Sequence, residues 1–306
     1  MLRKILALTL LALTMSACGS GLPPAAAGPK TLTDGSGRTV TLSLPVQRVV
    51  SLAPSNTELL YAIGAGSQVV GRDSYSDYPA EAKNAADIGG GFTALNMELI
   101  LSKKPDVVLA SPLTPPEQIA DLDKAGLTVY VLPNPKTFDD LYTNVETVGK
   151  ITGHEKEAAS LVDSLKARVK AVTDKVALAS ARPMVYYELD ATDPSAPYTS
   201  GPDTFVDLLI RTAGGENFGG TLKGDWVQIS VETLLTKQPD FIVLGDNTYG
   251  GVTPEQVKAR AGWDALKAVK DGKIFIFDDN TVSRPGPRLV DGLEAMAKLL
   301  HPDLFK

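Results

Sequence analysis

Asn96-Met-Glu-Leu-Ile-Leu-Ser-Lys-Lys-Pro-Asp106 returns without a gap as Ser230-Val-Glu-Thr-Leu-Leu-Thr-Lys-Gln-Pro-Asp240. Glu98/Glu232, Leu101/Leu235, Lys103/Lys237, Pro105/Pro239 and Asp106/Asp240 are identical. Each copy reads as a short helix opened by an N-cap residue (Asn96 or Ser230), stopped before a proline, and followed by an apolar strand. A second echo keeps the same order. Glu58-Leu-Leu60 with Gly64-Ala-Gly66 corresponds to Asp207-Leu-Leu209 with Ala213-Gly-Gly215. Segments repeated in one order point to two related lobes.

Outward from these segments, strand-like runs alternate with helical ones. Strands are expected at Arg48–Leu52, Val69–Gly71, Asp106–Ala110 and Thr128–Leu132, with helices at Asn56–Gly64, Asn96–Lys103 and Glu117–Lys124. The second half offers strands at Met184–Leu189, Phe241–Leu244 and Lys273–Phe277, and helices at Thr204–Ala213, Val231–Lys237 and Pro254–Val269. Apolar strands alternating with helices imply parallel sheets with βαβ crossovers. Residues 31–44 alternate around Asp34-Gly-Ser-Gly37, a hairpin pattern. Phe138–Ile151 and His154–Ala179 are helical without a strand between them; Leu161, Leu165, Val169, Val172 and Val176 share one face of the second. The expected fold is α/β: two Rossmann-like lobes with parallel central sheets, residues 31–137 and 181–306. Connecting helices over 138–180 join them, one of them long and stiff, and a ligand cleft lies between the lobes.

Composition narrows the function. The 306 residues are 43% apolar and 22% charged, in the range of a soluble globular chain. A formal net charge of −6 argues against a nucleic-acid binder. Two His and one Cys cannot build a Cys/His zinc site, and a single Cys forms no internal disulfide. No Gly-x-Ser-x-Gly elbow, P-loop or His-Glu-x-x-His occurs, so no enzyme chemistry and no cofactor or metal are expected.

The N-terminus is an address. Arg3 and Lys4 precede an apolar run, Ile5 to Met15, too short to span a bilayer. Met15-Ser-Ala-Cys18 follows, with small residues before the sole Cys. Residues 1–17 read as a signal peptide and Cys18 as a lipidated mature N-terminus, against the plainer alternative of an ordinary secretory signal. Residues 18–30, rich in Gly, Pro and Ala, read as a flexible tether. The body is then extracytoplasmic, in the periplasm or on the cell surface, anchored in the membrane through lipid.

Several loops at the expected cleft carry large rings. Tyr75 lies in Ser74-Tyr-Ser-Asp-Tyr-Pro79, Phe92 in a Gly-rich loop, and Tyr198 before Thr-Ser-Gly201. Phe92 and Trp226 each stand six residues before the paired Glu98 and Glu232. Rings at matching points of two lobes suit a bulky apolar ligand, although ordinary packing explains any single one. Arg284, in Ser283-Arg-Pro-Gly-Pro287, offers donors to ligand amides or carboxylates. Glu98 and Glu232 serve equally well as first-turn carboxylates favoured by the helix dipole or as contacts for a basic partner. Asp190, Asp193, Asp246, Asp278 and Asp279 lie near strand ends, as caps and turns commonly do.

Three segments carry a family resemblance: Arg48-Val-Val-Ser-Leu-Ala-Pro-Ser-Asn-Thr-Glu-Leu-Leu60, Ser74-Tyr-Ser-Asp-Tyr-Pro79, and Asn96-Met-Glu98 with Lys104-Pro-Asp106. They resemble the iron-siderophore/cobalamin/haem substrate-binding proteins of bacterial ABC importers (class III), and within that family the periplasmic cobalamin binders. The resemblance extends from about residue 31 to 306. It implies a rigid bilobal fold clasping a corrinoid, a role in capture and delivery to an ABC permease with its cytoplasmic ATPase, and no nucleic-acid partner. By the same resemblance Tyr75, Phe92, Tyr198, Trp226, Asn280 and Arg284 contact the ligand, and Glu98 and Glu232 dock the permease. Ser111 departs from the pattern, standing where the cobalamin binders have a Trp, which leaves room for a ferric siderophore or haem.

Overall fold

A computed structural model describes residues 28–91 and 93–306. The signal segment 1–17, Cys18 and Phe92 therefore lie outside the described residues. Strands β1 (Pro29–Thr33) and β2 (Thr39–Ser43) form an antiparallel hairpin. Asp34 closes its turn, its Oδ1 accepting from the amides of Ser36 and Arg38, each at 2.9 Å. Pairing begins two residues inside the stretch read as a tether, since Pro29 and Lys30 stand opposite Ser43 and Leu42.

The first lobe holds five parallel strands: β3 (Val49–Ser51), β4 (Val69–Arg72), β5 (Ala86–Asp87), β6 (Val107–Ala110) and β7 (Val129–Val131). Their spatial order is β5-β4-β3-β6-β7. Helices α1 (Pro54–Ala62), α2 (Met97–Lys103) and α3 (Pro116–Lys124) lie between them in the chain. The order reverses between β3 and β6, which opens a crevice at their C-terminal ends.

Two packed helices, α4 (Phe138–Thr152) and α5 (Glu155–Val176), lead to the second lobe. Helix α4 begins with a capping box between Thr137 and Asp140 and ends at Gly153 in the left-handed region. The 22 residues of α5 span about 33 Å.

The second lobe contains β8 (Met184–Glu188), β9 (Tyr198–Ser200), α6 (Phe205–Thr212), β10 (Glu216–Asn217), β11 (Trp226–Gln228), α7 (Val231–Lys237) and β12 (Phe241–Leu244). The short helices α8 (Asn247–Gly250), α9 (Pro254–Lys258) and α10 (Lys267–Lys270) follow, then β13 (Ile274–Ile276) and α11 (Leu289–Leu300). The parallel sheet runs β10-β8-β12-β13, and β9 and β11 form a separate antiparallel ribbon. The helical run expected at Pro254–Val269 is broken, because Gly262 adopts φ +80°.

Alternation along the strands sorts the apolar residues into layers. Val107 and Leu109 of β6, with Phe241 and Val243 of β12, join a central cluster that also takes in α1, α4, α5, α6 and α11. Val108 and Ala110 face an outer cluster of the first lobe; Ile242 and Leu244 face one of the second. The central cluster is continuous from one sheet to the other.

The repeated segments are alike in atomic detail. Asn96 and Ser230 cap α2 and α7 through their side chains. Both helices end on a non-glycine residue in the left-handed region, Lys104 at φ 47° and Gln238 at φ 49°. The aspartate after each proline then fastens the first strand of its sheet. Asp106 Oδ2 accepts from the amides of Gln47 (2.7 Å) and Arg48 (2.9 Å), and Asp240 Oδ2 from the amide of Met184 (2.8 Å). Asp106→Ala leaves the two amides just before β3 without their carboxylate acceptor, and urea denaturation should show a loss of about 1–3 kcal/mol.

Candidate ligand-binding cleft

The C-terminal ends of β3 and β6 border a cavity of about 450 Å³. Leu52, Ala53, Pro54, Tyr75, Leu95 and Leu113 give it an apolar wall, and Ser111 is also at its surface. This is the crevice that the strand order calls for. A chain of buried hydroxyls fixes its rim. Thr57 Oγ1 donates to Ser51 Oγ at 2.8 Å and lies 2.8 Å from Ser76 Oγ, and Ser76 donates to Asp73. Asp73 Oδ1 accepts the amide of Tyr75 at 2.8 Å. Burial pushes the Asp73 carboxyl up, against the pull of those two donors. Tyr75 is thereby presented at 38% exposure. Gly91 makes room for its ring: a Cβ there would sit 2.6 Å from two ring carbons.

The second lobe carries the β9–β11 ribbon. Trp226 stands opposite Ser200 and Gln228 opposite Tyr198, so alternation puts Trp226 and Tyr198 on one face. Both rings remain about two-fifths exposed. Trp226 leans on Phe205 at 5.4 Å between centroids.

Arg284 is 7% exposed and bridges the lobes. Its Nη1 donates to Asp77 Oδ1 at 2.7 Å and Glu58 Oε1 at 3.3 Å, and its Nη2 to the Tyr249 hydroxyl at 3.1 Å. Tyr249 donates in turn to Asn280 Oδ1 at 2.7 Å. Arg288 completes the group, with Nε 2.8 Å from Glu58 Oε2, Nη2 2.5 Å from Oε1, and its guanidinium 3.9 Å from the Tyr78 ring centre. Glu58, at 3% exposure, is thus sheathed by two arginines of the other lobe. The sequence pairs Glu58 with Asp207 and gives no sign of this role, since the arginines stand 226 and 230 positions away. Arg284 thus joins Asn280 through Tyr249, while Tyr75, Tyr198 and Trp226 stand exposed on the loops and ribbon of the two lobes. Glu98 and Glu232 lie outside this group, exposed in the first turns of α2 and α7. The Ser230 hydroxyl holds the Glu232 carboxyl below its usual range.

Beneath the second lobe's own switch point, between β8 and β12, lies a buried charge pair. Glu188 takes both Arg260 terminal nitrogens, at 2.6 and 2.9 Å. Asp246, read from sequence as a strand-end cap or turn, is 8% exposed, and both its carboxyl oxygens are enclosed without a hydrogen-bond partner among the described residues. Burial, then the Glu188 charge, pushes its carboxyl up to about 8, with Tyr186, Tyr187 and Arg260 also near it. A carboxyl raised above its unfolded value stabilises the fold fully below about pH 4 and loses that contribution as pH rises to about 8. The melting temperature of the wild type, relative to Asp246→Asn, should therefore fall between pH 5 and pH 8; a constant difference would refute the shift. Among the described residues, no group of three His, Cys, Asp or Glu is placed to hold a metal ion, and no helix is long and apolar enough to cross a membrane.

Comparison with known proteins gives the frame for this site. Residues 49–281 match the family described as periplasmic binding protein. The chain is 36% identical over 283 residues to a Bacillus subtilis protein called an uncharacterized ABC transporter substrate-binding lipoprotein, YvrC, covering 91% of this chain and 87% of that one. It is 30% identical over 318 residues to a protein of Halobacterium salinarum named cobalamin-binding protein, covering 97% and 84%. The apo periplasmic heme-binding protein RhuT from Roseiflexus sp. RS-1 superposes with a TM-score of 0.75 at 26% identity, over 84% of this chain and 99% of that one. With two parallel-sheet lobes, this chain belongs to the periplasmic binding protein family and is a substrate-binding protein of an ABC transporter.

Proposed function

We propose that the chain captures a corrinoid, with cobalamin as the reference ligand, and delivers it to the permease and ATPase of an importer. The observation that carries this reading is the apolar cavity in one lobe wall, bordered by Tyr75, with the exposed Tyr198 and Trp226 on the ribbon of the other lobe. Such walls suit a large macrocycle with broad apolar faces. The name of the Halobacterium relative supports the corrinoid. We read the ligand contacts as Tyr75, Phe92, Tyr198, Trp226, Asn280 and Arg284, the last two acting through the Tyr249 chain.

The reading is of a binder that leaves its ligand unaltered. The hydroxyls near the cavity, Ser51, Thr57 and Ser76, are engaged in one hydrogen-bonded chain that ends at Asp73. We further read residues 1–17 as an export signal and Cys18 as the lipid attachment point, which the name of the Bacillus relative supports.

Calorimetry of the full-length chain in detergent should show one cyanocobalamin bound per molecule, and Trp226→Ala should weaken binding by at least about 1 kcal/mol. No heat at micromolar concentrations, with heat from haem or a ferric hydroxamate, would transfer the role to those ligands. The docking assignment has its own test. Reversing both charges, Glu98→Arg with Glu232→Arg, should leave ligand affinity unchanged and suppress uptake into cells. Normal uptake by the double variant would remove these residues from the permease contact.

A further inference from the structure

Four charged side chains meet where the lobes touch: Arg284 and Arg288 from one, Glu58 and Asp77 from the other. Two cations face two anions, so the group is close to neutral. The two anions differ in setting. Glu58 is enclosed, and both of its oxygens are held by arginine. The Asp77 side chain is 51% exposed and touches only Arg284 of the two arginines. It belongs to the loop that carries Tyr75, at the rim of the cavity.

We propose that Asp77 sets the charge selectivity of the cleft: by occupying Arg284 it leaves the ligand a neutral surface and turns away ligands rimmed with carboxylates. The inference rests on the corrinoid reading above and names the ligand's peripheral chemistry, amide against acid. A guanidinium free on one side is a planar fork that pairs with a carboxylate in two parallel hydrogen bonds. Here that fork is closed. Nη1 is divided between Glu58 and Asp77, and Nη2 is committed to Tyr249, itself 65% exposed. An acidic ligand has to displace Asp77 or lie beside its negative charge. A neutral amide has only to exchange hydrogen bonds with Tyr249 and Asn280, whose dipoles adapt to a donor or an acceptor. The discrimination is therefore built from a repulsive element as well as from attractive contacts. Asp77 remains charged in this role: burial pulls its carboxyl up, but the hydrogen bond and charge of Arg284 outweigh that and hold it below the usual range.

The experiment compares cyanocobalamin with its monocarboxylic acid, in which one peripheral amide has been hydrolysed, by calorimetry on the full-length chain. Asp77→Asn keeps the shape and removes the charge, and Asp77→Ser guards against a new contact from the asparagine amide. The wild type should prefer the amide by about fivefold or more, and both variants should abolish or reverse that preference, chiefly by binding the acid more tightly. Raising the salt concentration should narrow the wild-type preference without any substitution. An unchanged amide-to-acid ratio in both variants, or an equal loss for both ligands, would reduce Asp77 to a brace between lobes and overturn the proposal while leaving the corrinoid reading intact. Failure of the wild type to bind either corrinoid would overturn that reading and this inference with it.

Discussion

Apolar burial beneath α4 and α5 is the constraint on which the two-lobed arrangement depends. Leu141, Val145 and Val148 of α4 pack in the same cluster as Leu59 and Leu60 of α1 and Ile63 just after it. Leu165 and Val172 of α5 belong to it too, together with Ile210 of α6 and Leu293 and Met296 of α11. On the polar side, Arg168 of α5 grips Asp291 and Glu294 of α11. Each sheet keeps a separate outer core, but the inner faces share one. Turning one lobe against the other would open a densely packed interior, for which close packing leaves little tolerance.

The ionic group around Glu58 acts in the same direction. A carboxylate at 3% exposure is tolerated only while its arginines stay in place. Losing a partner from such a pair typically costs about 3–5 kcal/mol. Separating the lobes would strand that charge, so the ionic group opposes opening as the helical seam opposes twisting. Gly286 adds a steric counterpart, since a Cβ at this position would come within 3.1 Å of the Ser55 carbonyl at the start of α1.

What the sequence made legible follows from how local each signal is. The βαβ alternation shows because strands buried on both faces leave unbroken apolar runs, as Val107–Ala110 and Phe241–Leu244 do. The lobe repeat shows because its cap, proline and aspartate lie within eleven consecutive residues. Two kinds of feature stayed hidden. The β9–β11 ribbon is three residues a side, paired across a long excursion, too short to give a period. The charge pairs Glu58 with Arg288 and Glu188 with Arg260 join residues far apart in the chain, and a lone acid in a helix or at a strand end carries no mark of its partner. Tyr75 beside the cavity was recognisable from its motif and family likeness. The closure of Arg284 by Asp77 was not, because the two residues lie 207 positions apart.

The Gly286 contact and the helical seam bear on how a membrane partner meets this receptor. If the lobes keep one spacing whether the crevice is full or empty, the outer surface carries no report of occupancy. Loaded and unloaded copies then compete for the same landing place on equal terms. Sorting them falls to whatever part of the cargo stands proud of the crevice, or to the transporter's own cycle after contact.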